Sequence, residues 1–229
     1  MSANSEVMRC PLARSTLARM FSATSGAINT VMSPAAYSAG FLNLELEQGL
    51  ASYVDVIAYH DYETPPERTG ITLSNVRLVM AANGASAIPL WDTEGASGTT
   101  KTSVKLAAEY LARKFLTDLM FGAWHFDWYT WGPATPFCVG TEMSNHSTSA
   151  AGKAYGYLQG WLSGATLNAA TIDPANNWEV GLTLTNGDRG VVVWNPKKTF
   201  LFIPGLCMKP LMFRKQPRNS KLIFNVGLI

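Results

Sequence analysis

The chain has 229 residues, 47% hydrophobic, 11% aromatic and 15% charged, with 18 Lys+Arg against 16 Asp+Glu and a formal net charge of +2. So much Trp, Tyr and Phe with so little net charge excludes a disordered chain, and no 18-residue apolar window exists to form a membrane-spanning helix. The length suits one domain of roughly 150–200 residues with a small appendage.

Charge is unevenly placed. All 16 acidic groups lie at or before Asp188, whereas Arg189, Lys197, Lys198, Lys209, Arg214, Lys215, Arg218 and Lys221 follow without opposition. These cations interleave with Phe200–Ile203 and Leu222–Phe224. That reads as strands with solvated outer faces rather than a clustered nucleic-acid footprint. Cys10, Cys138 and Cys207 are scattered, form no C-x-x-C and make no zinc spacing with the histidines. No metal site and no cofactor are therefore expected. Arg9, Arg14 and Arg19 precede no apolar run of signal-peptide type.

Taken in chain order, Leu12–Ala27 has helical apolar spacing and Ala27–Ser33 suits a short buried strand. Leu42–Leu50 is a helix candidate, and Tyr53–Tyr59 (YVDVIAY) is a buried strand rich in β-branched residues. Ile71–Asn83 reads as a helix, Ala87–Trp91 as a strand, and Lys101–Leu119 as the longest amphipathic helix. Gly122–Trp131 is an aromatic strand, followed by a helix over Ala151–Leu162. Beyond Gly164 come short strands at Ala165–Asn168, Trp178–Thr185, Gly190–Trp194 and Thr199–Ile203. Asn186-Gly187 marks a hairpin whose tight turn wants a φ > 0 pair. The alternation predicts an α/β class with parallel strands over residues 1–163, then a small antiparallel β appendage over 164–229.

In parallel α/β folds the reacting groups stand at the C-terminal ends of the strands. Those ends read Tyr59-His60-Asp61-Tyr62-Glu63, Trp91-Asp92-Thr93-Glu94-Gly95 and Trp128-Tyr129-Thr130-Trp131-Gly132. Indole faces stack on the apolar faces of sugar rings, and carboxylates do proton and nucleophilic work at an anomeric carbon. Carbohydrate is therefore the favoured substrate class. Strict alternation puts Trp128 and Trp131 on opposite strand faces, leaving Trp131 for substrate and Trp128 for the core. His125 reads as structural and His146 as solvent-facing. Phosphate-loop and G-x-S-x-G patterns are absent.

These segments resemble the clan A glycoside hydrolases, the retaining (β/α)8 TIM-type barrel enzymes that include cellulases and β-xylosidases. PLWDTEG (Pro89–Gly95) is similar to their seventh strand, VDVIAYHDY (Val54–Tyr62) to the sixth and FGAWHFDWYTWG (Phe121–Gly132) to the eighth. AYGYLQGWLSGAT (Ala154–Thr166), followed by strands, resembles the exit into an added β-sandwich. The resemblance implies a catalytic nucleophile at Glu94, with His60, Tyr62, Trp91 and Trp131 binding the sugar. It also implies an oligo- or polysaccharide substrate and action outside the cytoplasm.

The departure from the family is as informative. Its acid/base glutamate follows an Asn at the fourth strand end, and none of the nine glutamates here follows an Asn. The first strand of this chain matches the fifth of the barrel, so about the last four β-α units are expected, without the acid/base half. A retaining mechanism wants two carboxyls about 5–5.5 Å apart, and four strands do not close a barrel. Glu63 is the one candidate substitute acid. The expectation is thus the C-terminal half of a glycosidase that is truncated or needs a missing N-terminal half-barrel. The rival is a non-catalytic carbohydrate-binding module or pseudoenzyme, and a third reading is a fragment that does not fold alone.

Overall fold

The computed structural model describes residues 30–197, together with two short strands, β1 (Met8–Arg9) and β8 (Leu222–Phe224). The helix expected over Leu12–Ala27 and the strand over Thr199–Ile203 lie outside the described residues. Two compact units divide between Gln159 and Gly160.

The first unit runs α1 (Ala39–Glu47), β2 (Ile57–Asp61), α2 (Thr69–Ala82), β3 (Leu90–Gly95), α3 (Val104–Met120), β4 (Ala123–Trp128) and the start of α4 (Ala150–Leu162). Strands β2, β3 and β4 form a three-stranded parallel sheet in that order. Parallel neighbours need long crossovers, and α2 and α3 supply them. Ahead of them, Met32 bridges Val56 and Ala36 bridges Tyr59 in parallel. The described end of the strand expected at Ala27–Ser33 therefore does run beside β2.

The starts of α1 and α3 are set by serine caps, which satisfy N–H groups left open in the first turn. Ser38 Oγ accepts from the Phe41 N–H at 3.1 Å to open α1, and Ser103 Oγ accepts from the Leu106 N–H at 3.3 Å to open α3. Gly122, at φ +84°, ends the α3 turn in the left-handed region and redirects the chain into β4. One face of the sheet buries Ile57, Tyr59 and Leu90 against Leu42 and Leu46 of α1 and Leu73, Val76 and Met80 of α2. Further along, Phe126 of β4 meets Phe115 of α3 edge-on, with ring centroids 4.5 Å apart.

Two irregularities decide which side chains share a face. Between β2 and β3, Tyr59 pairs with Asp92 but His60 pairs with Glu94, so Thr93 is an extra residue in β3. Between β3 and β4, Leu90 pairs with Ala123 and Trp91 with His125, so Trp124 is an extra residue in β4. Such β-bulges reverse the parity of everything beyond them. Glu94 therefore lies on the face of Trp91 and His60 rather than on that of Asp92.

The parallel strands start later or stop earlier than the sequence suggests. Tyr53 is 76% exposed and caps a 3-10 turn at Leu50–Ser52, so β2 begins at Ile57. β4 stops at Trp128, which leaves Trp131 in the following loop.

The second unit holds the antiparallel strands β5 (Thr166–Ile172), β6 (Trp178–Thr183) and β7 (Arg189–Trp194), with β1 antiparallel to β5 and β8 parallel to β7. Trp178 and Trp194 pair directly across β6 and β7 and stack with centroids 5.4 Å apart. Aromatic pairs of this kind are a main source of sheet stability. The hairpin at Asn186-Gly187 is present, but only Gly187 takes positive φ (+84°). The expected φ > 0 pair is replaced by a turn in which Leu184 N–H donates to Asp188 O at 2.8 Å and Gly187 N–H to Leu184 O at 2.9 Å.

Candidate functional site

The ends of β2 and β3 bring three of the sequence-predicted residues together. Tyr62, one residue past β2, donates its phenolic O–H to Oε1 of Glu94 in a short hydrogen bond. His60 Nδ1 lies 3.9 Å from Oε2 of the same carboxylate. The geometry follows from the bulge, since His60 and Glu94 face each other in register only because Thr93 is passed over. Glu94 keeps 40% side-chain exposure and His60 31%, so the cluster is open to a ligand.

Burial first, then the hydrogen bond to Glu94 and its charge, push the Tyr62 phenol well above its ordinary value. Tyr62 therefore remains a donor throughout the neutral range. A donor on one carboxylate oxygen holds the anion in place and leaves the other oxygen for chemistry.

Tyr129 completes this cluster. Its ring meets that of Tyr62 edge-on, centroids 6.1 Å apart and 72° between planes, and it is 41% exposed. Sequence reasoning passed over Tyr129 because flanking tryptophans are the usual stacking platforms. The signal available was its place next after the last β4 residue. The Tyr129–Thr130 peptide is cis.

The other two predicted residues are placed differently. Trp91 lies on the same sheet face but one turn of the pleat lower, its ring centroid 4.8 Å from that of His125 with 37° between planes, and His125 itself reaches Asp127 Oδ2 at 2.9 Å. His125 is thus 27% exposed and paired rather than packed in the core. Trp131 is 76% exposed and lines a separate cleft with Glu142, His146 and Tyr155. Trp128, expected in the core, is only half-buried and donates its indole N–H to Val139 O at 3.1 Å. His146, 86% exposed, faces solvent but touches Glu142 at 3.2 Å.

Asp61, adjacent to His60 and Tyr62 in sequence, faces the opposite way. Its carboxylate, with those of Asp92 and Asp118, surrounds the ammonium of Lys114 at 3.0, 2.8 and 2.7 Å, all four side chains at most 2% exposed. Lys114 also sits 4.6 Å from the Phe126 ring centroid, a favourable placement for a cation. These three carboxylates are the one His/Cys/Asp/Glu group among the described residues close enough to hold a metal, within 4.8 Å of one another. The positive charge a metal would bring is already supplied by Lys114.

Three acids around one base leave charge to spare. Burial raises Asp92 to about 6 against the opposing pull of Lys114, and burial raises Asp118 well above the carboxylate range. Burial alone would lower Lys114, but Asp118, Asp92 and Asp61 outweigh it and hold the ammonium protonated. Nothing in the sequence pattern singled out Lys114, because a lysine on an amphipathic helix ordinarily solvates its charge.

Glu63, the candidate substitute acid, is bound away from Glu94. Arg68 Nε lies 3.0 Å from its Oε2, and the Thr72 hydroxyl donates to its Oε1 at 3.2 Å. Neither partner of Glu94 is acidic.

The fold is similar to that of a solved glycoside hydrolase. It superposes on a family 39 glycoside hydrolase from the gut symbiont Bacteroides cellulosilyticus WH2 with a TM-score of 0.58 and 17% identity, over 81% of this chain and 46% of that one. A glucosidase from Croceicoccus marinus follows at TM-score 0.49 and 16% identity, over 65% of this chain and 34% of that one. A family 39 β-xylosidase from Caulobacter crescentus gives 0.43 and 17%, over 67% and 38%. The chain thus spans less than half the length of each of these structures. No family model matches the sequence, and neither does any curated protein.

Proposed function

We propose that this chain is the nucleophile-bearing, C-terminal half of a retaining (β/α)8-barrel glycoside hydrolase acting on an oligo- or polysaccharide, with residues 1–163 as partial barrel and 164–229 as β appendage. The observation that carries this is the Tyr62–Glu94–His60 cluster at the ends of two parallel strands. Glu94 attacks the anomeric carbon through its other oxygen to form a glycosyl ester as the glycosidic C–O bond breaks and the aglycone leaves as an alcohol, protonated by the acid/base, while Tyr62 holds the carboxylate by donating to it. His60, Trp91 and Trp131 bind the sugar, and a missing N-terminal half-barrel supplies the acid/base and closes the sheet edge. No cofactor enters the mechanism.

Activated aryl glycosides test this reading, because their leaving groups need little protonation. A burst of phenol, together with a sugar ester on Glu94 seen by peptide mass spectrometry, supports it. No burst at any aryl glycoside, or a burst that survives Glu94→Gln, rejects it.

One observation favours the rival reading, a carbohydrate-binding pseudoenzyme. Glu63, the one candidate substitute acid, is committed to Arg68 and Thr72. Oligosaccharide binding without a burst distinguishes it.

A further inference from the structure

Thr93 is an extra residue against both neighbours of β3. The ladder to β2 steps from Tyr59–Asp92 to His60–Glu94, and the ladder to β4 steps from Asp92–Phe126 to Gly95–Trp128. A bulge of this kind re-aims a side chain while interrupting the ladder around it. The residue just before it supplies what the ladder lacks. We propose that Asp92, clamped by Lys114, is a positioning residue for Glu94: its carboxylate pins the bulge that sets Glu94 beside Tyr62 and His60. This deepens the nucleophile reading above and rests on it.

Three observations carry the inference. First, the Asp92 carboxylate ties three elements together at the level of the bulge. Its Oδ1 accepts from the Asp61 N–H of β2 at 3.3 Å, and its Oδ2 accepts from Lys114 Nζ of α3 at 2.8 Å. A Cβ on Gly95 would run into that same Oδ2. The carboxylate of the residue before the bulge therefore lies against the second residue after it. Asp92 is fully buried, where hydrogen bonds to a charged acceptor are strong and the local dielectric is low.

Second, the chain is tied again directly beyond Glu94. Tyr129 N–H donates to Gly95 O at 2.9 Å, and Ala96 N–H donates to Asp61 O at 3.1 Å. Thr93 and Glu94 thus lie between two anchors, the Asp92 side chain on one side and the Gly95 backbone on the other. The point where the Glu94 side chain leaves the strand follows from both.

Third, Glu94 has a competing place. With plain alternation through Thr93 it would face the lysine side of the sheet. Lys114 is fully buried and needs acids there. Removing Asp92 leaves the ammonium short of one, and Glu94 is the next acid along β3. Asp92 therefore both holds the bulge and fills the position that Glu94 would otherwise take.

Asp92 faces the opposite side of the sheet from His60 and Glu94, so its effect on the reaction runs through the placement of Glu94. A displacement of about 1 Å at a reacting group lowers the rate on the order of 100-fold.

The test compares wild type, Asp92→Ala, Asp92→Asn and a core variant of α2, Val76→Ala, on an activated aryl glycoside. Asp92→Ala is expected to slow the burst of phenol about 100-fold with KM little changed. Asparagine keeps an acceptor for the Asp61 N–H, and Lys114 retains Asp61 and Asp118, so Asp92→Asn is expected to recover most of that rate. Val76→Ala, at a fully buried site, is expected to lower Tm without slowing the burst. Tyrosine labelled with carbon-13 at Cζ reads the same geometry without substrate. The Tyr62 signal, assigned with Tyr62→Phe, is expected to move in Asp92→Ala and to stay in Asp92→Asn. Asp92→Glu keeps a charge for Lys114 but displaces the acceptor by a methylene; its burst is expected to slow as well, which covers an alanine variant that does not fold. A burst as fast as wild type in the alanine or glutamate variant, an unmoved Tyr62 signal in Asp92→Ala, or an equal slowing in Val76→Ala overturns the positioning role. Absence of a burst in wild type while the Tyr62 signal responds as expected rejects the nucleophile reading instead, so the two failures give different results.

Discussion

Lys114→Met is the most informative single change to the scaffold. Methionine keeps an apolar stem of similar length against Phe126 but removes the one charge facing Asp61, Asp92 and Asp118. The three contacts span 2.7 to 3.0 Å. At such separations and an effective dielectric near 20, each has a Coulomb attraction of roughly 6 kcal/mol before desolvation is set against it. The net is smaller, because removing one partner of a buried pair costs about 3–5 kcal/mol. Three partners are orphaned here, so the upper end applies at pH 7. For a chain of this size each kcal/mol moves Tm by roughly 2–4 °C, which gives a drop on the order of 10–20 °C. The variant's stability must also recover on acidification. Once folded carboxyls hold protons that the unfolded chain has released, stability falls with rising pH, so the gap to wild type narrows toward pH 4. Thermal melts followed by circular dichroism across pH 4–8 decide it. A variant within about 2 °C of wild type at pH 7, a shift worth no more than roughly 1 kcal/mol, would refute the idea that Lys114 holds three buried acids together. So would a gap that does not change with pH.

Wild type itself carries a related signature. Asp92 is raised to about 6 in the fold from 3.8, and between those values it holds more protons folded than unfolded. It therefore contributes a stability decline on the order of 3 kcal/mol from pH 4 to pH 6. Asp92→Asn should flatten that part of a urea-denaturation pH profile. Tyr62→Phe removes a hydrogen bond to a charged group, worth about 1.5–3 kcal/mol, so aryl-glycoside kcat/KM should fall roughly 10–150-fold. An unchanged value would separate Tyr62 from the chemistry. Gly95→Ala would drive a Cβ against the Asp92 carboxylate and to 2.7 Å from the Phe126 ring, since Gly95 is where β3 passes closest to its neighbours. Overpacking of this kind costs about 1–3 kcal/mol, and an equal or higher Tm would contradict it.

Much of the scaffold was legible because the periodic signals were long. The helix expected at Lys101–Leu119 is α3 at Val104–Met120, and Ile71–Asn83 is α2 at Thr69–Ala82, each displaced only by the details of its caps. Strand ends were less legible. LWDTEG reads as an apolar strand running into a polar loop, yet all six residues belong to β3, because the bulge at Thr93 lets the chain keep its ladder while turning Glu94 around. Of the candidate site, Glu94, Tyr62 and His60 were found through strand ends and resemblance, whereas Tyr129 needed the true end of β4. Lys114 and its three acids were invisible to pattern. Only the folded chain shows that a helix lysine points inward to meet carboxylates from two strands.

The extra residue at Thr93 makes β3 a phase shifter. Upstream of it, odd positions look one way and even positions the other; downstream the assignment is swapped, which is how two acids two places apart reach opposite environments. Asp92 faces the lysine and Glu94 faces Tyr62 and His60, and the identity of neither side chain decides which. A β3 that kept Thr93 but ironed out its bulge would carry Glu94 round to the lysine side, whereas loss of Thr93 itself would restore plain alternation with Glu94 still opposite Asp92.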